Sequence, residues 1–216
     1  MLVRCRGVRA LASVIVTGAF VFSCTSERPT SSDCELATGT QKSALLVAPG
    51  WSGTAPMSAS RGKHAAVLLP TGKILVVGGV SGTGFLTTAE LYDPATNTWA
   101  GAGSPGISGN VALAVVLPSG NVLVLSDGAP NGTVYDPVAG TWTPTGAMAA
   151  TRSYPTMTVL NTGKVLVAGG SKLATAELYD PVTNTFTPTG SLSAVRRAFA
   201  ATLLRDGRVL ATSGFN

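Results

Sequence analysis

From His64 onward, short apolar runs alternate with turn-forming residues, and the three-to-four spacing of a helix face never appears. HAAVLL, His64 to Leu69, is the first run; Pro70-Thr71-Gly72 turns it, and KILVV, Lys73 to Val77, is the second. Gly78-Gly79 ends that run, AELY from Ala89 to Tyr92 is the third, and DPATN turns into a fourth centred on Trp99. Runs of this length, rich in β-branched and aromatic residues and bounded by Gly, Pro, Asn and Asp, predict antiparallel strands joined by tight hairpins. The GGVSGTG stretch between the second and third runs reads as a loose loop.

The four-run unit recurs. AELYDPATNTW (Ala89 to Trp99), TVYDPVAGTW (Thr133 to Trp142) and AELYDPVTNTF (Ala176 to Phe186) place Tyr92, Tyr135 and Tyr179 43 and 44 residues apart. Gly72, Gly120, Gly163 and Gly207 keep step with them in TGKILVV, SGNVLVL, TGKVLVA and DGRVLAT. Self-similarity at this period predicts a stacked array, and four strands per repeat predict the blade of a propeller. The repeated residues have structural work in such a blade. Gly78-Gly79 and Gly169-Gly170 allow close backbone approach or positive φ. The three tyrosines bury a ring while the hydroxyl finds a partner, and Asp93, Asp136 and Asp180 start turns before proline. Asn97, Gly140 and Asn184 sit where a left-handed conformation is tolerated, and Trp99, Trp142 and Phe186 suit the space between neighbouring blades.

A double glycine, a tyrosine about a dozen residues later and a tryptophan seven beyond it resemble the kelch repeat, over residues 51 to 216. The second repeat departs with Ser126-Asp127 in place of the glycine pair, and the fourth with Ser213-Gly214. The tryptophan-aspartate signature of the other common propeller repeat and the sialidase box are both absent. The resemblance implies an all-β, kelch-type β-propeller with about three complete four-stranded blades and two partial ones. Blades fall at about 57–103, 104–146 and 147–190, with a partial blade at 191–216, inside a propeller region of 47–216. Trp51 to Arg61 aligns in register with Phe186 to Arg196, so 47–56 reads as a leftover outer strand. Such propellers usually have roughly five to seven blades. The shortfall leaves two explanations open, a truncated or split reading frame and a ring completed by self-association.

Composition adds a compartment. The chain is 45% apolar and only 12% charged, which suits a compact β-protein. Its formal charge is +5, but removing Arg4, Arg6 and Arg9 leaves 12 basic against 10 acidic side chains, too mild a balance for a nucleic-acid partner. Those arginines precede 13 uncharged residues, Ala10 to Phe22, the length of a signal-peptide core and too short to cross a bilayer as a helix. Residues 1–23 therefore read as a signal peptide whose Val21-Phe22-Ser23-Cys24 end resembles a bacterial lipobox, with Cys24 lipidated. The alternative is ordinary cleavage and a small disulfide loop between Cys24 and Cys34. Residues 24–46 form a flexible Ser/Thr-rich tether. The expectation is an exported protein of the bacterial cell envelope, touching the membrane through its lipid anchor only, or else secreted.

Strand direction sorts the loops. Turns between first and second strands and between third and fourth share one rim and barely vary; the remaining connections (VSGTGFLTT, DGAPNGT, SKLAT) open on the other rim and differ, which is where binding usually resides. Arg61, Arg152 and Arg196 reach that variable rim from equivalent positions, with Gly109 in the gap. They read either as a partial ring of guanidinium groups for carboxylate or sulfate on a glycan or peptide, or as ties to a neighbouring loop and to Glu90 or Glu177. Tyr154, Phe85 and Lys172 would add stacking or polar contact to a ligand.

Chemistry finds less support. Some kelch-like propellers resemble the copper-radical galactose oxidases, whose site needs several His and Tyr ligands, whereas this chain has one histidine, His64, read as an inner-strand filler. Neither a catalytic set, a metal site nor a cofactor is expected. The sequence points to a non-catalytic envelope scaffold presenting loops to a protein or carbohydrate ligand. The alternatives are a substrate-recognition fragment of a kelch-type oxidase or glycan-modifying enzyme, and a truncated remnant without function.

Overall fold

A computed structural model describes residues 53–107 and 112–216. The expectations for the signal peptide, tether, Cys24, Cys34, Trp51 and Gly109 lie outside the described residues.

Among the described residues the alternating apolar runs become sixteen strands. In the first blade β1 (Ala65–Leu68), β2 (Ile74–Val77), β5 (Ala89–Asp93) and β6 (Thr98–Gly101) form one antiparallel sheet in the order β1-β2-β5-β6. Between β2 and β5 a small hairpin, β3 (Val80–Ser81) and β4 (Gly84–Phe85), occupies the segment expected as a loose loop. The second blade holds β7 (Ala112–Val116), β8 (Val122–Ser126), β9 (Asn131–Asp136) and β10 (Thr141–Ala147). The third holds β11 (Thr156–Val159), β12 (Val165–Ala168), β13 (Ala176–Asp180) and β14 (Thr185–Thr189). A final pair, β15 (Ala200–Leu203) and β16 (Val209–Thr212), repeats the first two strands of a blade.

The blades stack through side chains that alternate along each second strand. On β8, Val122 and Val124 join the first blade's Leu75, Val77 and Ala89, while Leu123 and Leu125 face the third blade's Val165, Val167 and Tyr179. The third blade meets β15 and β16 through Ala168, Ala176 and Phe199. Each such Val, Leu or Phe removed from water contributes roughly 1.5–3 kcal/mol. That is why β8, covered on both faces, is a continuous apolar run rather than a half-polar one.

The repeated aromatics fall in register. Tyr92 pairs across the strands with Trp99, Tyr135 with Trp142 and Tyr179 with Phe186, at ring-centroid distances of 5.0, 4.7 and 5.0 Å. Trp142 reaches into the preceding blade, its indole N–H donating to the Ala102 carbonyl at 2.6 Å, and Trp99 donates likewise to Ala55 at 2.7 Å. The segment around Ala55 thus sits against the first blade as Ala102 sits against the second. The Tyr92 and Tyr179 hydroxyls donate to Asn97 and Asn184, both left-handed with φ of 54° and 57°. Asp93, Asp136 and Asp180 each accept the N–H two residues on, closing the turn before the fourth strand. Val138 and Val182 stand almost fully exposed at the tips of two of these turns.

The glycine pairs do two jobs at once. Gly79 and Gly170 have φ of 94° and 114°, and a Cβ on Gly79 would lie 2.5 Å from the Gly62 carbonyl oxygen. His64 departs from expectation: its side chain is exposed rather than filling an inner strand, while Pro155 and Phe199 at equivalent positions are buried.

Candidate functional site

The variable rim is organised by the residues that lead into each blade. Arg61 is fully enclosed; its Nη1 donates to the Gly78 and Thr88 carbonyls at 3.1 and 2.9 Å, and its Nη2 donates to Glu90 Oε1 at 2.7 Å. Arg152 repeats this one blade later. Its Nη1 donates to the Gly169 and Thr175 carbonyls at 2.8 and 2.7 Å, and its Nη2 to Glu177 Oε1 at 2.9 Å. The second oxygen of each glutamate accepts a backbone N–H three residues before the arginine, from Ser58 at 2.9 Å and Ala149 at 2.8 Å. Arginine, glutamate, the end of the second strand and the start of the third are thereby clamped together. Arg196 donates in the same way to the Ser213 carbonyl, equivalent to Gly78 and Gly169.

This geometry turns Arg61 and Arg152 away from ligand contact, while Arg196 is half-buried and bonded to a single carbonyl. Arg61 and Arg152 point into their own blades, where the guanidinium groups satisfy the Gly78 and Gly169 carbonyls and share the Thr88 and Thr175 carbonyls with the Gly78 and Gly169 N–H groups. Burial alone would raise the Glu90 carboxyl, but the Ser58 N–H and the Arg61 guanidinium outweigh it and hold the carboxyl below its ordinary range. Burial pushes the Tyr135 and Tyr179 hydroxyls up, in keeping with their packing between blades.

The other three candidates face differently. Tyr154 is left-handed at φ 57°; its N–H donates to Asp127 Oδ1 at 2.9 Å, its carbonyl accepts the Ala198 N–H at 3.0 Å, and it lines a small cavity with Leu125 and Met148. Lys172, left-handed at φ 62°, is exposed at a loop tip pinned by bonds from Ser171 N–H to the Ser153 carbonyl and from Arg196 N–H to the Leu173 carbonyl. Lys172 and Tyr154 are therefore neighbours through the Ser171–Ser153 bond. Phe85 stands apart, 58% exposed on the β3–β4 hairpin of the first blade.

Two rim residues escape the sequence reading. Arg197 is exposed and makes no ion pair among the described residues, whereas the opposite rim pairs Lys73 with Asp93 and Lys164 with Asp180. Phe215, bonded backbone to backbone with Arg197, is also exposed. The available signal was departure from the repeat, since Gly62 and Ser153 occupy the position of Arg197. Among the described residues no group of three or more His, Cys, Asp or Glu is placed to hold a metal ion, and no helix is long and apolar enough to cross a membrane.

No curated protein matches the chain. Residues 61–106, which run from the Arg61 clamp through the whole first blade, match the Kelch motif. Kelch repeats typically form binding scaffolds for protein partners. With its four-stranded antiparallel blades and matched Tyr–Trp pairs, the fold is a kelch-type β-propeller architecture.

Proposed function

We propose that the protein is a non-catalytic scaffold of the cell envelope that binds a partner protein through the variable rim. The observation that carries this reading is the contrast between the rims. One has short turns with paired charges, while the other projects Phe85 on an added hairpin and leaves Lys172 and Arg197 without carboxylate partners among the described residues. An exposed aromatic on one blade and adaptable cations on others of the same rim give the composition of an interaction surface, and the clamps beneath hold the loops without joining the contact. Export and the Cys24 anchor supply the location, and the anchor would leave the rim in water. Carboxylate or sulfate groups of a glycan would meet the same cations and form the second ligand class for this surface.

The test compares Phe85→Ser/Lys172→Glu with a control, Val138→Ser/Val182→Ser, on the opposite rim. Partners cross-linked to the wild-type protein in envelope membranes should be lost from the first variant and kept by the second, with both retaining the wild-type β-sheet circular dichroism. Retention of the same partners by the first variant refutes the assignment of the rim.

A further inference from the structure

Left-handed backbone in this molecule sorts by rim. Among the described residues, the non-glycine positions of positive φ in the constant turns are Asn97 and Asn184, and Gly140 fills the same site in the second blade. Asparagine and glycine adopt that conformation at little cost. On the variable rim it is held by Lys63, Tyr154, Lys172, Ala198 and Ser213, none of which relieves it.

Three of these five share one place in the repeat. Lys63, Tyr154 and Ala198 each stand two residues after a clamp-position arginine, with φ of 54°, 57° and 49°. The residue between is pinned to the chain that follows the second strand. Gly62 exchanges backbone bonds with Val80 at 2.8 Å, Arg197 does so with Phe215 at 3.0 Å, and the Ser153 carbonyl accepts the Ser171 N–H at 2.8 Å. First strands lie side by side, β1 against β7, β7 against β11 and β11 against β15, so these blade-entry positions stand around the propeller axis. Strain kept at a repeated place, where asparagine or glycine would fit without it, marks side chains that are used.

Charge gives the chemistry of that use. On the constant rim Lys73, Lys164 and Arg208 each lie within 3.3 Å of an aspartate. Outside the clamp positions, the variable rim carries Lys63, Lys172 and Arg197 against one carboxylate among the described residues, Asp127, whose Oδ1 already accepts the Tyr154 N–H. An uneven rim of this kind draws anionic groups. Phe85, 58% exposed on the same rim, suits the side chains of a protein better than the hydroxyls of an anionic glycan.

We infer that the left-handed blade-entry position is where the protein reads its ligand, and that the ligand is an acidic segment of a partner protein. Lys63 and Lys172 meet its carboxylates, and Tyr154 lays its ring on the same segment. This rests on the partner-binding role proposed above for the variable rim.

The experiment is fluorescence anisotropy of labelled poly-L-glutamate at low ionic strength, on the full chain carrying Cys24→Ser. Binding that weakens as salt is added is expected. Lys63→Glu/Lys172→Glu should lower the affinity by about tenfold or more. Arg205→Glu/Val138→Glu/Val182→Glu makes the same change in net charge at exposed sites of the opposite rim and should leave the affinity nearly unchanged. Lys63→Asn and Ala198→Gly should both raise the thermal midpoint by relieving the backbone, yet only Lys63→Asn should weaken the peptide. Equal weakening by the two charge-reversed variants overturns the inference, as does a lower midpoint for Lys63→Asn. Binding of polygalacturonate with none of poly-L-glutamate overturns the protein class of the ligand. If poly-L-glutamate fails while cross-linked partners are still lost from Phe85→Ser/Lys172→Glu, the acidic class falls and the rim stands. Partners kept by that variant bring down the rim itself.

Discussion

Arg152→Met tests whether the rim arginines clamp the fold or await a ligand. The guanidinium is buried to within 1% of full enclosure and donates to two carbonyls, to Thr175 Oγ1 at 3.2 Å and to Glu177. Methionine approximates the stem but strands a buried carboxylate that keeps only the Ala149 N–H, and takes the donor from the Gly169 carbonyl, while the Thr175 carbonyl keeps the Gly169 N–H. Removing one partner of a buried pair costs about 3–5 kcal/mol, more than the pair itself contributes, because the remaining charge is left uncompensated. Adding Glu177→Met removes that charge, so a double-mutant cycle should return a coupling of about 1–3 kcal/mol. Urea unfolding followed by Trp99 and Trp142 fluorescence measures both; at a typical slope of about 1–3 kcal/mol per molar, the single substitution lowers the midpoint by roughly 1–5 M. A loss below about 1 kcal/mol at unchanged slope refutes the clamp and returns Arg152 to the ligand surface.

Gly170→Ala should destabilise by about 1–3 kcal/mol, since φ is 114° and the new Cβ would lie 3.1 Å from the Arg152 Cβ; an unchanged thermal midpoint would contradict the close approach. Glu90 has a folded-state pKa below its ordinary 4.5, so its contribution is fully present above that pH and disappears as pH falls through the lower folded value. Glu90→Gln should therefore flatten the fall of the urea midpoint below about pH 4.5, and identical slopes in the two proteins would rule the clamp out as its source. Cys24→Ser should move the protein from the membrane pellet to the soluble fraction on cell lysis, and unchanged pelleting would overturn the anchor.

The blade was legible because its residues answer to local rules. A turn that needs positive φ selects Asn97, Gly140 and Asn184, and a β-hairpin fixes Tyr92 opposite Trp99 whatever lies beyond it. The rim was only half legible. Spacing placed Arg61 and Arg152 at equivalent sites and named Glu90 and Glu177 as partners, but the direction of a long side chain depends on carbonyls that become neighbours only after the strands pair. The β3–β4 hairpin was missed because two-residue strands leave no periodicity to read. His64 was misjudged because its repeat position is buried elsewhere by contacts that this first strand does not make.

Val138 and Val182 offer a practical consequence. Both crown hairpins closed by an aspartate and a proline, and nothing packs on either side chain. A cysteine substituted at either position and biotinylated would immobilise the molecule on a sensor chip with its divergent loops directed into flowing analyte.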